Sequence, residues 1–276
     1  MLEARLPLAV TLKRVLDAIK DLVEHANFDC NDTGIALQAM DTSHVALVAL
    51  MMRGEGFDPY RCDRNMSLGV HFSTLAKVLK CANNDDALTI KAGHDADVLN
   101  LTFEAHKTER ISEFDIKLMD VDAEQLSIPE TDYAAVVKMS SAEFARICND
   151  MSVMGETVTI AVTKEAVKFS ARGEQGAGSV AVRATRGGAA MDVDASAGSS
   201  SKAASAAIAS ETTITLEEAV ELSFALKYLK MFAKAATLSP AVTLSMSADV
   251  PLMVEFAMDE DLGYIRFYLA PKLDDE

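Results

Sequence analysis

The 276-residue chain has no run of about 18 or more uncharged apolar residues, which excludes a membrane-spanning helix. Its first residues, MLEARLPLAV, set an acid inside a short apolar stretch and lack the form of a secretory signal, so an intracellular, non-membrane protein is expected. Cysteine is sparse. Cys30, Cys62, Cys81 and Cys148 show no C-x-x-C spacing, which argues against a zinc site or a disulfide framework and predicts reduced, mostly buried thiols. The five histidines lack i, i+4 pairing and a nearby carboxylate cluster, so no metal is expected. There is no G-x-x-x-x-G-K-[ST] loop, and residues 173–178 lack the dinucleotide fingerprint, so no cofactor is expected either. Bases are also in short supply. Twenty-six Lys and Arg face 42 Asp and Glu, and a net charge of -16 by itself argues against a nucleic-acid binder, because phosphates repel such a protein. Where the bases sit therefore matters more than their number.

A hydrophobic content of 50% is enough to bury a substantial core in one large or two medium domains. The apolar residues recur as a helical stripe followed by two alternating strands about a turn, and four copies can be read. The first has Leu12, Val15, Leu16, Ile19, Leu22 and Val23 at helical spacing, then a strand, the turn Asn31-Asp32-Thr33-Gly34 and the strand Ile35 to Met40. The second runs from Phe72, Leu75, Val78 and Leu79 through Ala87 to Lys91, turns at His94 to Asp97 and returns with Leu99, Leu101 and Phe103. The third has Phe144, Ile147, Cys148 and Met151, the strand Thr157 to Val162, a turn at Thr163-Lys164-Glu165, and Val167, Phe169 and Ala171 facing the core. The fourth has Leu226, Leu229, Phe232 and Ala233, the strand Ala241 to Met246, a turn at Ser247 to Val250, and Leu252, Val254 and Phe256. Two copies per half predict an α+β fold of two similar domains, each with two helices packed on antiparallel sheets.

The join is expected in residues 118–133, LMDVDAEQLSIPETDY, where acids, Pro129 and missing periodicity indicate an extended connector between domains at 1–117 and 134–276. Residues 185–210, built of Ala, Ser and Gly, read as a mobile surface loop. Each helix carries bases: Lys13, Arg14 and Lys20 on the first, Lys77 and Lys80 on the second, Arg146 on the third, Lys227, Lys230 and Lys234 on the fourth. Spacings of three, four and seven residues put the last three on one stripe. An ordinary solvated face explains any one such helix. Four of them in an acidic protein suggest instead a concave surface with a local positive field.

The same residues resemble the eukaryotic proliferating cell nuclear antigen family across nearly the whole chain. The segments EGFDPYRCDRN (55–65), EFARICND (143–150), LSPAVTLSMSADVPL (238–252) and YLAPK (268–272) are similar to its most recognisable stretches. The resemblance implies a DNA clamp fold: three copies closed head to tail into a ring, helices lining the hole and sheets forming the outer wall. It implies a nuclear processivity factor for replicative polymerases that encircles duplex DNA without reading its sequence. Other implied partners are a clamp loader, flap endonuclease, DNA ligase and repair proteins. Its DNA-facing residues would be the helix bases named above.

For ring closure the resemblance points to Arg110, Phe114 and Ile116, with Lys77 and Cys81, against Gln175, Ala177, Gly178 and Val180 of the next copy. For partner motifs it implies a pocket beneath the connector. Met40, His44, Val45 and Leu47 match one part of it, Leu126, Ile128, Pro129 and Tyr133 another, and Pro251, Tyr268, Ala270 and Pro271 a third. Read from the residues alone, Met40, Leu47 and Tyr268 could equally be core, and Phe114 has a core reading as the lesser alternative to an interface anchor. Lys164 matches the family's ubiquitin acceptor, whereas the second modification position, in the connector, is Ser127 here. The sequence also departs from the family at Asn149 and Val153, which stand where bases or polar residues are usual, and in the length of the 185–210 loop.

Two other readings compete. Asp32-Thr33-Gly34 is the loop signature of an aspartic protease, which from a single copy would need a symmetric dimer, while a turn between strands explains it without chemistry. A checkpoint clamp subunit would share the fold but assemble with two different chains. A binding platform that is not an enzyme is the expectation.

Overall fold

The computed structural model describes residues 1–93, 97–106, 108–122, 126–128, 131–174, 176–185, 211–258 and 262–272. The expected loop at 185–210, apart from Thr185, lies outside the described residues, as do Pro129, Gln175 and most of the second repeat's turn.

The chain forms two compact units, residues Met1–Glu130 with Phe256–Tyr268, and Thr131–Glu255 with Leu269–Glu276. In unit 1 the order is β1 (Leu2–Leu6), α1 (Ala9–Ile19), β2 (His25–Asn31), β3 (Gly34–Met40), β4 (Ala46–Arg53), β5 (Tyr60–Cys62), β6 (Met66–His71), α2 (Phe72–Leu79), β7 (Ala87–Ala92), β8 (Val98–Glu104) and β9 (Ile111–Lys117). Unit 2 has β10 (Ala135–Ser140), α3 (Ser141–Met154), β11 (Thr157–Val162), β12 (Ala166–Gly173), β13 (Gly176–Arg183), β14 (Thr213–Leu216), β15 (Val220–Ala225), α4 (Leu226–Phe232), β16 (Ala241–Met246) and β17 (Leu252–Met258). The last strand, β18 (Gly263–Leu269), lies next to β4 and returns almost entirely to unit 1. Arg53 N–H donates to the Leu262 carbonyl at 2.7 Å, and a Cβ on Gly263 would sit 1.9 Å from the Met51 carbonyl oxygen, so this approach requires glycine.

Each of the four read repeats is a helix followed by an antiparallel hairpin: β2–β3, β7–β8, β11–β12 and β16–β17. Unit 1 has the strand orders β5-β1-β7-β8-β9 and β18-β4-β3-β2-β6, and unit 2 has β13-β12-β11-β15 and β14-β10-β16-β17. The fold is thus the expected one, two units each with two helices on antiparallel sheets. The helical stripes bury what their spacing predicts: Leu12, Val15, Leu16 and Ile19 on α1, Phe144, Ile147, Cys148 and Met151 on α3. Phe72, Phe144 and Phe232 are fully buried, each contributing about 1.5–3 kcal/mol by leaving water.

Asp32 and Thr33 are the exposed tip of the β2–β3 hairpin, and Gly34 is the buried first residue of β3. The Asn31 side-chain oxygen accepts from Thr33 N–H at 2.9 Å, Thr33 Oγ1 at 2.6 Å and Gly34 N–H at 3.1 Å. Gly34 has φ 148, and a Cβ there would meet the Met52 carbonyl oxygen at 2.1 Å. Turn chemistry therefore accounts for Thr33 and Gly34, and Asp32 is an exposed turn residue between them and Asn31. The expectation of mostly buried thiols needs correction: Cys30 and Cys148 are buried, Cys62 is half-buried and Cys81 is exposed. Cys81 follows the last turn of α2, beyond the stripe that the helix buries.

Candidate nucleic-acid interface and partner surfaces

In unit 1 the two helices pack side by side, and the spacing that buries Leu12, Leu16, Leu75 and Leu79 turns the bases outward. Arg14, Lys77 and Lys80 are exposed. Lys13 is half-buried, its ammonium donating to the Ala82 carbonyl at 2.7 Å and to Asn84 Oδ1 at 3.0 Å, so much of its bonding capacity holds the loop after α2. Lys20 is bonded to the Asp17 carboxylate three residues back. Sequence spacing could not distinguish these two committed lysines from the three exposed bases.

In unit 2, Lys227 and Lys230 project from α4, and Lys234 from the single 3-10 turn that extends it. Lys227 lies over the Tyr228 ring at 4.5 Å, and Lys230 donates to Ser152 on α3 at 3.1 Å. The exposed side of α3 is close to neutral. Arg146 is 3.8 Å from Asp150 one turn on, Asn149 is exposed, and Val153 is 78% exposed. Lys230 beside Cys148 favours its thiolate, but burial outweighs it and pushes the thiol up to about 12.

The connector is not a loose strap where it crosses unit 1. Leu118 N–H donates to Asp97 at 2.8 Å and Met119 N–H to Gly69 at 3.0 Å, while Asn27 Nδ2 holds the Val121 carbonyl at 2.9 Å. Further on, Gln38 binds Leu126 both ways: Nε2 donates to its carbonyl at 2.8 Å and Oε1 accepts its N–H at 2.9 Å. One side-chain amide thus imitates a strand partner. Gly69 allows the close pass, since a Cβ there would lie 1.9 Å from the Met119 carbonyl oxygen.

Beside this strap a groove of about 460 Å³ is lined by His25, Gln38, Met40, His44, Leu47 and Val121. Met40 and Leu47 are direct cross-strand partners on one face, Met40 half-buried and Leu47 buried. The loop carrying His44 and Val45 is built on buried Asp41, whose carboxylate accepts from Ser43 N–H at 3.1 Å and from Val45 and Ala46 N–H, both at 2.8 Å. That cage holds His44 at φ 55, a left-handed conformation. Leu126 and Ile128 are 41% and 38% exposed, and Tyr268 on β18 is half-buried. Of the named pocket residues in unit 2, Tyr133 and Pro271 are half-buried and Pro251 and Ala270 exposed; the tail is tied by Lys272 N–H to the Ser223 carbonyl at 2.7 Å. Asp41 and Gln38 were not among the residues singled out in the sequence. Asp41-Thr42-Ser43 carries an Asx-turn signature that could have revealed the first, while nothing local marks the second.

Among the described residues six strands stand at sheet ends, β5, β6, β9, β13, β14 and β15, and two of them, β9 and β13, carry the residues expected at a ring contact. On β9, Phe114 is half-buried and packs edge-on against Phe103 at 5.8 Å, Ile111 is 65% exposed, and Ile116 is buried in its own unit. Exposed Lys77 belongs to α2, which packs against β9, exposed Cys81 follows that helix, and exposed Arg110 precedes the strand, its Nε donating to Ser112 at 3.1 Å. On β13, Val180 and Gly178 are half-buried toward α3 and Ala177 is exposed; a Cβ on Gly178 would come within 3.0 Å of Met154 Cγ. Lys164 stands exposed at the bend between β11 and β12.

Residues 1–126 match the family described as proliferating cell nuclear antigen, N-terminal domain, and residues 127–272 its C-terminal domain. The chain is also 52% identical over 276 residues, the full length of both proteins, to the proliferating cell nuclear antigen of Chaetomium thermophilum.

Proposed function

Because the chain belongs to the proliferating cell nuclear antigen family, it is a DNA sliding clamp, and we propose how its own residues carry out that work. Three copies close into a ring by pairing β9 of one with β13 of the next. Such a heterologous contact closes after a fixed rotation and hides both edges. The observation that supports this reading is that β9 and β13, each at a sheet end, are backed by half-buried apolar side chains that a neighbour would cover.

The ring threads duplex DNA. Arg14, Lys77, Lys80, Lys227, Lys230 and Lys234 meet its phosphates weakly and without base readout, so the clamp slides while topology prevents loss. Lys13 and Lys20 contribute field more than contact, given their bonds to Asn84 and Asp17. The groove beside the connector takes a helical turn of a polymerase, flap endonuclease or ligase, with Met40, Leu47, Leu126, Ile128 and Tyr268 as its apolar floor. His44 and Val45 form its rim, and the family resemblance assigns Pro129, Tyr133, Pro251, Ala270 and Pro271 to partner binding as well. A tethered polymerase then stays near the primer end at high effective concentration, so processivity rises without chemistry by the clamp. The site of action is the nucleus, an ATP-driven loader opens the ring, and Lys164 is the ubiquitin acceptor.

Light scattering after gel filtration tests the assembly. Three chains of 29.6 kDa give about 89 kDa. A monomer at every concentration overturns the homotrimer and favours a heteromeric checkpoint clamp, and a dimer overturns it in the other direction.

A further inference from the structure

The pleat of β12 puts Val167, Phe169 and Ala171 inward beneath α3 and turns Lys168, Ser170 and Arg172 to the opposite face. Pairing sets Ala161 of β11 and Ala181 of β13 on either side of Lys168, and Ala177 beside Arg172. Thr157, at the start of β11, accepts the Lys272 ammonium at 2.8 Å, which brings a third cation to this face. Arg183 stands opposite Ala166 at the other end, next to the bend that carries Lys164. All five basic side chains are exposed. Among the described residues, no ion pair engages Lys168, Arg172 or Arg183. Among the described residues the acids nearby are Glu221, opposite Ala161, with Glu165 and Glu174 in the turns; Asp274, Asp275 and Glu276, which follow Lys272 in the sequence, lie outside them. The protein's net charge is -16, yet this face is basic and its floor is alanine, serine and threonine.

We propose that this face of unit 2 is a docking surface for an extended acidic segment of a partner protein. Carboxylates of the segment pair with Arg172, Lys168 and Lys272, and its backbone lies over the alanines between them. Charge complementarity selects the occupant. Arg172 offers a planar fork suited to a carboxylate. A duplex, with one charge per roughly 1.7 Å, would meet the repulsion of the whole acidic molecule, whereas a short acidic segment meets far less of it. The proposal does not depend on the ring. In the proposed trimer a neighbour would pair along β13, leaving the bases of β12, one strand in, and the tail open.

The probe is a fluorescein-labelled twelve-residue peptide, three repeats of Asp-Gly-Glu-Ser, titrated with the full chain and followed by anisotropy at about 50 mM and about 300 mM salt, where screening differs strongly. Saturable binding is expected at low salt, weakened about tenfold or more in K168E/R172E, and lost at high salt. A Lys/Ser peptide of equal length should not bind, and K138E, which changes charge elsewhere on unit 2, should leave binding unchanged. K168A/R172A, with thermal melting as the check on folding, keeps the test informative should the charge reversal misfold. Absent binding, or equal binding by wild type and both double variants, overturns the proposal. So does loss of duplex binding in K168A/R172A with no peptide bound, which would make the face a nucleic-acid surface.

Discussion

Gln38 carries a large share of the connector's order through two hydrogen bonds to one residue, Leu126. Gln38→Ala removes both and leaves the strand otherwise intact. Two bonds of about 0.5–1.5 kcal/mol each place the expected loss at about tenfold in affinity for a polymerase-motif peptide, measured by calorimetry, with little change in melting temperature. An unchanged affinity would mean that the strap does not shape the groove. The buried thiols make a different prediction. Burial, helped by neighbouring Cys62 and Asp29, raises Cys30 from 9.0 to about 12, and burial raises Cys148 likewise. The folded state therefore keeps both protons above pH 9, where the unfolded chain loses them. Stability is expected to fall as pH rises from 9 toward 12, by up to about 1.4 kcal/mol per pH unit for each thiol. Urea midpoints across that range check this, and iodoacetamide at pH 8 should label exposed Cys81 of the unassembled chain well before either buried thiol.

Among the four helices, α3 differs in charge. Its Arg146–Asp150 pair is exposed and contributes about 0.3–0.5 kcal/mol to the helix at most, while cancelling the charge that would face a phosphate. Asn149→Arg is expected to tighten duplex binding and to steepen the decline of log K with log salt by about 0.9 for each new phosphate contact per subunit. An unchanged slope would place α3 away from the DNA. The element scale is also where the sequence was most legible. Leu12, Leu16 and Ile19, or Val167, Phe169 and Ala171, announce their period without help, because burial of one face is a local constraint written every three to four or every two residues. The return of β18 to unit 1 was not legible from those periods, since strand partners far apart in sequence leave no such trace. Gly263 marks the close approach only once Met51 is known to lie opposite. Nor did the outward period of α1 reveal that Lys20 is bonded to Asp17, since which partner a solvent-side lysine takes is settled by side-chain reach.

At the scale of the whole molecule, the two edges proposed to meet, β9 and β13, end different sheets, and neither is a copy of the other. Ring formation under this scheme is a polymerisation that stops itself by closing. A chain spoiled at one edge alone, as by Phe114→Asp beside Phe103, keeps the other edge and can still cap a growing assembly. Such a subunit is an antagonist of its own normal form. In an equal mixture only about one random set of three chains in eight lacks it and can close, so far fewer than half of the possible clamps form.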